Sequence, residues 1–103
     1  MVVAGSMKND TLYISLSGEM DECSAQAVRA KCDKLIETHL TARRIIINLS
    51  KVAFMDSTGI GFLIGRYKKA AAMRVPLYIQ NPNFAADKIL NLSGIYSLIP
   101  KAE

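Results

Sequence analysis

The sequence is 103 residues long, enough for one small domain and too short for a second or for a long linker. Half of it is apolar and 21% is charged, so it is expected to fold, and 13 Lys and Arg against 9 Asp and Glu leave a formal charge of +4. One His, two Cys and no Trp exclude zinc sites built from several Cys and His, and a Ser-His-Asp triad would have to use His39.

The opening Met1-Val-Val-Ala-Gly-Ser6 has neither a basic start nor an apolar run long enough for a signal peptide. No window reaches the roughly 18–20 apolar residues of a membrane span. Gly5-Ser6-Met7 reads either as a cloning scar ahead of a natural Met7 or as the end of a first strand. Thr11–Ser17 alternates, with Leu12, Ile14 and Leu16 on one face, and Asn9-Asp10 before it reads as the turn from a short first strand. Gly18-Glu-Met-Asp21 is expected to break that strand and cap a helix over Glu22–His39, whose Val28, Cys32, Leu35 and Ile36 recur at helical spacing. Cys23 and Cys32 lie nine residues apart in that helix, on opposite sides and about 13 Å apart along the axis, so they cannot pair. Two unpaired thiols fit a reducing cytoplasm.

Ile45–Leu49 is a continuous β-branched run, expected as a central strand covered on both faces. After a connector, Ile60, Leu63, Ile64, Tyr67 and Ala70 mark the core side of a second helix ending near Ala72. Val75–Ile79 reads as a short strand with Pro76 at its start. Asn81-Pro82 is expected to cap a third helix that carries Phe84, Ile89, Leu90 and Leu92, with Gly94 as its stop. This order predicts an α/β domain: a mixed, mostly parallel sheet of four to five strands with the helices packed mainly on one face.

The chemistry concentrates in Val52–Lys69. Asp56-Ser57-Thr58 falls at a helix start, where four backbone N–H groups lack helical partners and the helix dipole is positive. Two readings stand: a simple N-cap, or a place that holds a phosphate. Gly59, Gly61 and Gly65 each cost about 1 kcal/mol in a helix relative to Ala, so a smooth stripe is being kept for close approach by another part of the fold or by a partner. A dinucleotide-binding loop is ruled out, because Asp56-Ser57 replaces the tight glycine turn and the acidic ribose partner about 20 residues on is missing. No Gly-Lys-Ser/Thr phosphate loop occurs.

Phe54-Met-Asp-Ser-Thr-Gly-Ile-Gly-Phe-Leu-Ile-Gly-Arg-Tyr-Lys-Lys69 closely resembles the signature of anti-sigma factor antagonists, the bacterial STAS-domain proteins. Gly18-Glu-Met-Asp21 resembles the family's Gly-Glu-Leu/Ile-Asp element, and Asn91-Leu-Ser-Gly-Ile95 its late helix-stop segment. The likeness runs from Thr11 to Ile99 and is nearest to the sporulation type in Gly65-Arg-Tyr-Lys-Lys69. It departs at the end: family members often continue into a further C-terminal helix, whereas this sequence stops at Glu103.

The resemblance implies a non-enzymatic phospho-switch without a cofactor, acting as a monomer. The phosphoacceptor would be Ser57, with Thr58 supporting the site. The unphosphorylated form would bind an anti-sigma factor that is also an ATP-dependent serine kinase, freeing the sigma factor. A PP2C-type serine phosphatase would reset it, and neither nucleic acid nor membrane would be a partner.

By the same resemblance, Met20, Asp21, Asp56, Thr58, Gly59, Ile60, Gly61 and Arg66 are the partner-binding candidates around Ser57. Asp21 is both a helix cap and a candidate partner for a kinase Arg. Met20 and Met55 suit either an adaptable interface or the core. Arg66, Lys68 and Lys69 form either a patch for an acidic partner or a solvated face. An alternative function is a STAS regulatory or ligand-binding module of a larger sensor or transporter. An enzyme with a Ser57 nucleophile would need His39.

Overall fold

In a computed structural model, residues 1–102 are described. The chain begins as a hairpin of β1 (Val2–Lys8) and β2 (Thr11–Met20), paired antiparallel. Asn9 and Asp10 both take positive φ, 52° and 64°, as a two-residue turn matched to strand twist requires. The order then runs α1 (Glu22–Thr38), β3 (Arg44–Met55), α2 (Ser57–Ala72), β4 (Leu77–Gln80) and α3 (Phe84–Ser93), closing in a short 3₁₀ turn at Ile95–Ser97. The sheet order is β1-β2-β3-β4, with β2, β3 and β4 mutually parallel, so the mixed, mostly parallel sheet is borne out. A single bridge between Ile79 and Lys101 extends the β4 edge.

Leu12, Ile14 and Leu16 of β2 and Ile45, Ile47 and Leu49 of β3 are buried on the face packed by helices. Val28, Cys32 and Ile36 of α1 meet them, with Phe62 and Leu63 of α2 and Leu90 of α3. Burying each Leu or Ile contributes about 1.5–3 kcal/mol relative to exposure. Among the described residues no helix covers the sheet's other face, where Tyr13, Ser15, Asn48 and Tyr78 stay half-buried, which corrects the expectation that β3 is covered on both faces. Ile46 is buried there because Tyr13 and Tyr78 flank it in register on either side.

Other expectations also change. Gly18 does not break β2; the strand continues to Met20, with Gly18 at φ 113° among its irregular pairings. No connector follows Leu49, because β3 continues to Met55 through two bulges. From Ser15 to Ser17 on β2 the partner advances from Asn48 to Lys51, and from Gly18 to Glu19 it advances from Val52 to Phe54. Each step inserts one extra residue in β3, so its buried positions run Leu49, Val52, Met55 instead of alternating.

The fourth strand is Leu77–Gln80. Asn83, not Asn81, caps α3: its side chain accepts from the Ala86 N–H at 2.8 Å, while Asn81 sits at φ 55° in the preceding turn. With that shift, Phe84 and Leu92 turn outward, 86% and 80% exposed, and Ala86 and Leu90 fill the core. Gly94 does stop the helix, in the left-handed conformation.

Candidate functional site

Two strand-to-helix junctions stand side by side at one end of the sheet. Met20 ends β2 and Met55 ends β3, and the two are paired in register. A single aspartate follows each, Asp21 before α1 and Asp56 before α2, and both are N-caps in extended conformation. The start of α3 joins them, since Asn83 Nδ2 donates to the Val52 carbonyl at 3.1 Å. Three positive helix ends therefore gather at the carboxyl edge of the parallel strands, where open α/β sheets place their sites.

Asp56 Oδ1 accepts from the Thr58 N–H at 2.8 Å, and the Asp56 carbonyl accepts from the Gly59 N–H at 3.0 Å. This makes Asp56 the cap and frees Ser57. Ser57 is the first residue of α2, is exposed, and its hydroxyl has no hydrogen-bond partner among the described residues. Thr58 is half-buried beside it.

Asp21 forms a capping box with Ser24, accepting its N–H at 2.9 Å, while Ser24 Oγ donates to the Glu19 carbonyl at 3.0 Å. The bonds from the Ser24 backbone and then its hydroxyl hold the Asp21 carboxyl below its ordinary value of 3.8, so it stays ionised. Glu19 and Glu22 add negative charge on either side of it.

At about 100° per residue, Ser57, Gly61, Ile64, Gly65 and Lys68 fall within one arc of about 100° on α2. A Cβ at Gly61 or Gly65 would meet nothing within 4 Å. The glycine stripe is thus open surface running down from the Ser57 hydroxyl, and internal packing does not explain it. Gly59 is different: a Cβ there would collide with Met55 Cγ, so this glycine lets the helix start close down on the end of β3.

Three partner-binding candidates are therefore corrected. Met20 is completely buried in the core, Gly59 is buried under Met55, and Arg66 is only 6% exposed. Arg66 belongs to no basic patch. Its Nε lies 2.8 Å from Asp33 Oδ1 on α1, and its guanidinium lies 5.1 Å from the Phe62 ring centroid. The contact with Asp33 is close, but the N–H is poorly directed at the oxygen, so the pair is Coulombic more than hydrogen-bonded. Burial lowers the Arg66 pKa, and the neighbouring Asp33 opposes that shift. Lys69 pairs with Glu37, tying the same two helices one turn further on.

Ile60 and Ile64 are half-buried, so the core side of α2 is turned toward Phe62 and Arg66 relative to the expected face. Phe54, 51% exposed and paired in register with Glu19, is an apolar group at this end to which the sequence reading gave no role. Recognising Asn83 as the α3 cap would likewise have placed Phe84 on the surface.

His39 is the C-cap of α1, at the far end of a 17-residue helix that starts at this site, about 25 Å away. Its Nδ1 lies 2.7 Å from the Leu35 carbonyl. No imidazole is available to activate Ser57. Among the described residues no cluster of three metal-ligating side chains occurs, and no helix is long and apolar enough to cross a membrane.

A family model, the STAS domain, matches residues 6–103. The chain belongs to the STAS domain family. This STAS domain is 30% identical over 89 residues to the anti-sigma F factor antagonist of Paenibacillus polymyxa, covering 86% of this chain and 75% of the relative. It is 34% identical over 86 residues to the anti-sigma F factor antagonist of Lysinibacillus sphaericus, covering 84% and 73%. Its fold superposes on the unphosphorylated anti-sigma factor antagonist SpoIIAA with a TM-score of 0.79 and 28% identity, over 99% of this chain and 89% of the other. The phosphorylated form of SpoIIAA, a Bacillus cell fate determinant, gives a TM-score of 0.71 at the same identity, over 99% and 92%.

Proposed function

We propose that this STAS domain is an anti-sigma factor antagonist switched by phosphorylation of Ser57. The observation that carries the reading is the Ser57 hydroxyl itself: exposed, unbonded, and at the head of a helix face cleared by Gly61 and Gly65. Relatives named as anti-sigma F factor antagonists, and a structural relative known in unphosphorylated and phosphorylated forms, support it. In the unphosphorylated state the partner, an anti-sigma factor with serine kinase activity, lies along Ser57, Ile60 and Gly61, with Asp21, Asp56 and Thr58 at its edge. A PP2C-type phosphatase returns the modified form to the binding state.

The physics of the switch needs no refolding. A phosphate adds about −1.5 to −2 charges beside Asp56 and Asp21. The positive end of α2 tolerates that charge within the domain. A partner packed on the same surface meets new bulk, negative potential and tightly held water, so binding is lost while the fold stays.

The test uses the anti-sigma F factor of Paenibacillus polymyxa with ATP, read by site-resolved mass spectrometry and by titration calorimetry. One phosphate on Ser57, none on Ser57→Ala, and loss of complex formation by Ser57→Asp with an unchanged circular dichroism spectrum are expected. Modification elsewhere, or full binding by Ser57→Asp, refutes the reading.

A further inference from the structure

At the other end of α2, about 24 Å from Ser57 along a 16-residue helix, the chain stops and turns into β4. Met73 is the cap, the Arg74 N–H donates to the Ala71 carbonyl at 3.0 Å, and the Val75 N–H donates to the Ala70 carbonyl at 2.9 Å. That bonding pattern requires a left-handed residue after the cap, and Arg74 supplies it at φ 60°. Glycine or asparagine ordinarily takes this position, because a Cβ there crowds the following carbonyl and only glycine lacks one, while asparagine offsets the penalty with local hydrogen bonds. An arginine in its place points to a use for the side chain.

Arg74 lines a cleft of about 310 Å³ between the end of α2, the start of β4 and the segment Leu98–Pro100. Tyr67, Ala71, Tyr78, Leu98 and Pro100 are among its lining residues, Leu77 bounds it from the core, and Arg74 is the one charged residue of the lining. Arg74 has no carboxylate partner among the described residues, as is true of nine of the 13 Lys and Arg side chains, and what sets it apart is its left-handed backbone. A strained, unpaired cation thus stands at the rim of an aromatic-walled cleft.

We propose that this cleft binds a small amphipathic organic anion, its acid group on the Arg74 guanidinium and its flat apolar body against Tyr67, Tyr78 and Leu98. The volume lies at the lower end of the range for small-molecule sites, which restricts the body to one or two rings. A planar guanidinium favours a carboxylate, which it can meet with two parallel hydrogen bonds. The cleft lies at the opposite end of α2 from the Ser57 surface.

The test titrates the whole domain with 2-naphthoate and with neutral 2-naphthalenemethanol, followed by two-dimensional NMR. Naphthoate should perturb Tyr67, residues 74–78 and Leu98, and bind about tenfold tighter than the alcohol. Arg74→Gly is decisive because it removes the cation and relieves the left-handed strain together. It should raise the melting temperature while weakening naphthoate about tenfold, to the level of the alcohol, and Arg74→Lys should keep most of the preference. Equal naphthoate affinity in Arg74→Gly and the parent overturns the proposal. So does a lack of acid preference, a response centred on the groove near Val3 and Leu35, or no response at millimolar probe.

Discussion

Two glycines in one turn of α2 should respond oppositely to the same added methyl group. At Gly61 a Cβ meets nothing within 4 Å, so Gly61→Ala brings only the helix-propensity gain, about 0.8–1.0 kcal/mol of stabilisation. At Gly59 the new Cβ collides with Met55 Cγ and approaches Sδ to 2.8 Å. Met55 is only 3% exposed, so its chain has no free volume into which to swing, and overpacking of this kind costs about 1–3 kcal/mol. The propensity gain is shared by both variants. The difference between them therefore isolates the collision and should itself be about 1–3 kcal/mol. Urea denaturation with an unchanged m-value measures it, and for a domain of this size each kcal/mol moves the melting temperature by roughly 4–8 °C. Equal stabilities for the two variants would refute the account of Gly59 as a packing residue, and a destabilised Gly61→Ala would refute the open stripe.

The Arg66–Asp33 pair should be asymmetric. Asp33→Ala strands a guanidinium whose side chain is 7% exposed and should cost about 3 kcal/mol or more, whereas Arg66→Met leaves a carboxylate 30% exposed to water and should cost about 1 kcal/mol; equal losses in chemical denaturation would contradict this. Cys32 is fully buried, and its thiol is pushed up to about 12, chiefly by desolvation. Iodoacetamide at pH 8 should therefore label exposed Cys23 alone in the folded domain and both thiols after unfolding, as intact-mass spectrometry would show. Asp87 is held below 3.8 by hydrogen bonds from Lys101 and then Tyr96, and Asp21 by Ser24. A carboxylate depressed on folding stabilises above its unfolded pKa and loses that contribution as pH falls through the folded value. Stability should thus be flat from pH 7 to about 5 and decline below about 4, with Asp87→Asn showing a shallower decline in pH-dependent melts.

Much of this was legible in the residues because local and global signals agreed. The Asn9-Asp10 turn, the Leu12-Ile14-Leu16 face, the Val28-Cys32-Ile36 stripe and the Gly94 stop each read correctly from spacing or turn chemistry. The start of α2 was legible as well, since Asp56-Ser57-Thr58 offers a capping carboxylate just ahead of a run with helical spacing. The second half of β3 was not. Bulges replace its alternation by steps of three, so Leu49, Val52 and Met55 imitate an irregular connector. Arg66 misled for a different reason: next to Lys68 and Lys69 it looks like surface, and only the approach of Asp33 from α1, which is 33 residues distant in sequence, makes its burial tolerable. Gly59 misled as well, because the resemblance marks a neighbourhood without saying which members face the core, and for Met20 the core was one of the two readings.

The directness of the β3–α2 junction has a further consequence. One residue, Asp56, separates the central strand from the helix, so Ser57 has no slack. Its placement beside Asp21 comes from strand pairing between Met20 and Met55, two residues 35 positions apart, and no short peptide cut from around Ser57 would reproduce it. Under the proposed switch, a kinase that engages both junctions would therefore read the folded state of the domain. Under that same switch, unfolded copies would be neither bound nor modified, and the signal would follow the population of intact domain.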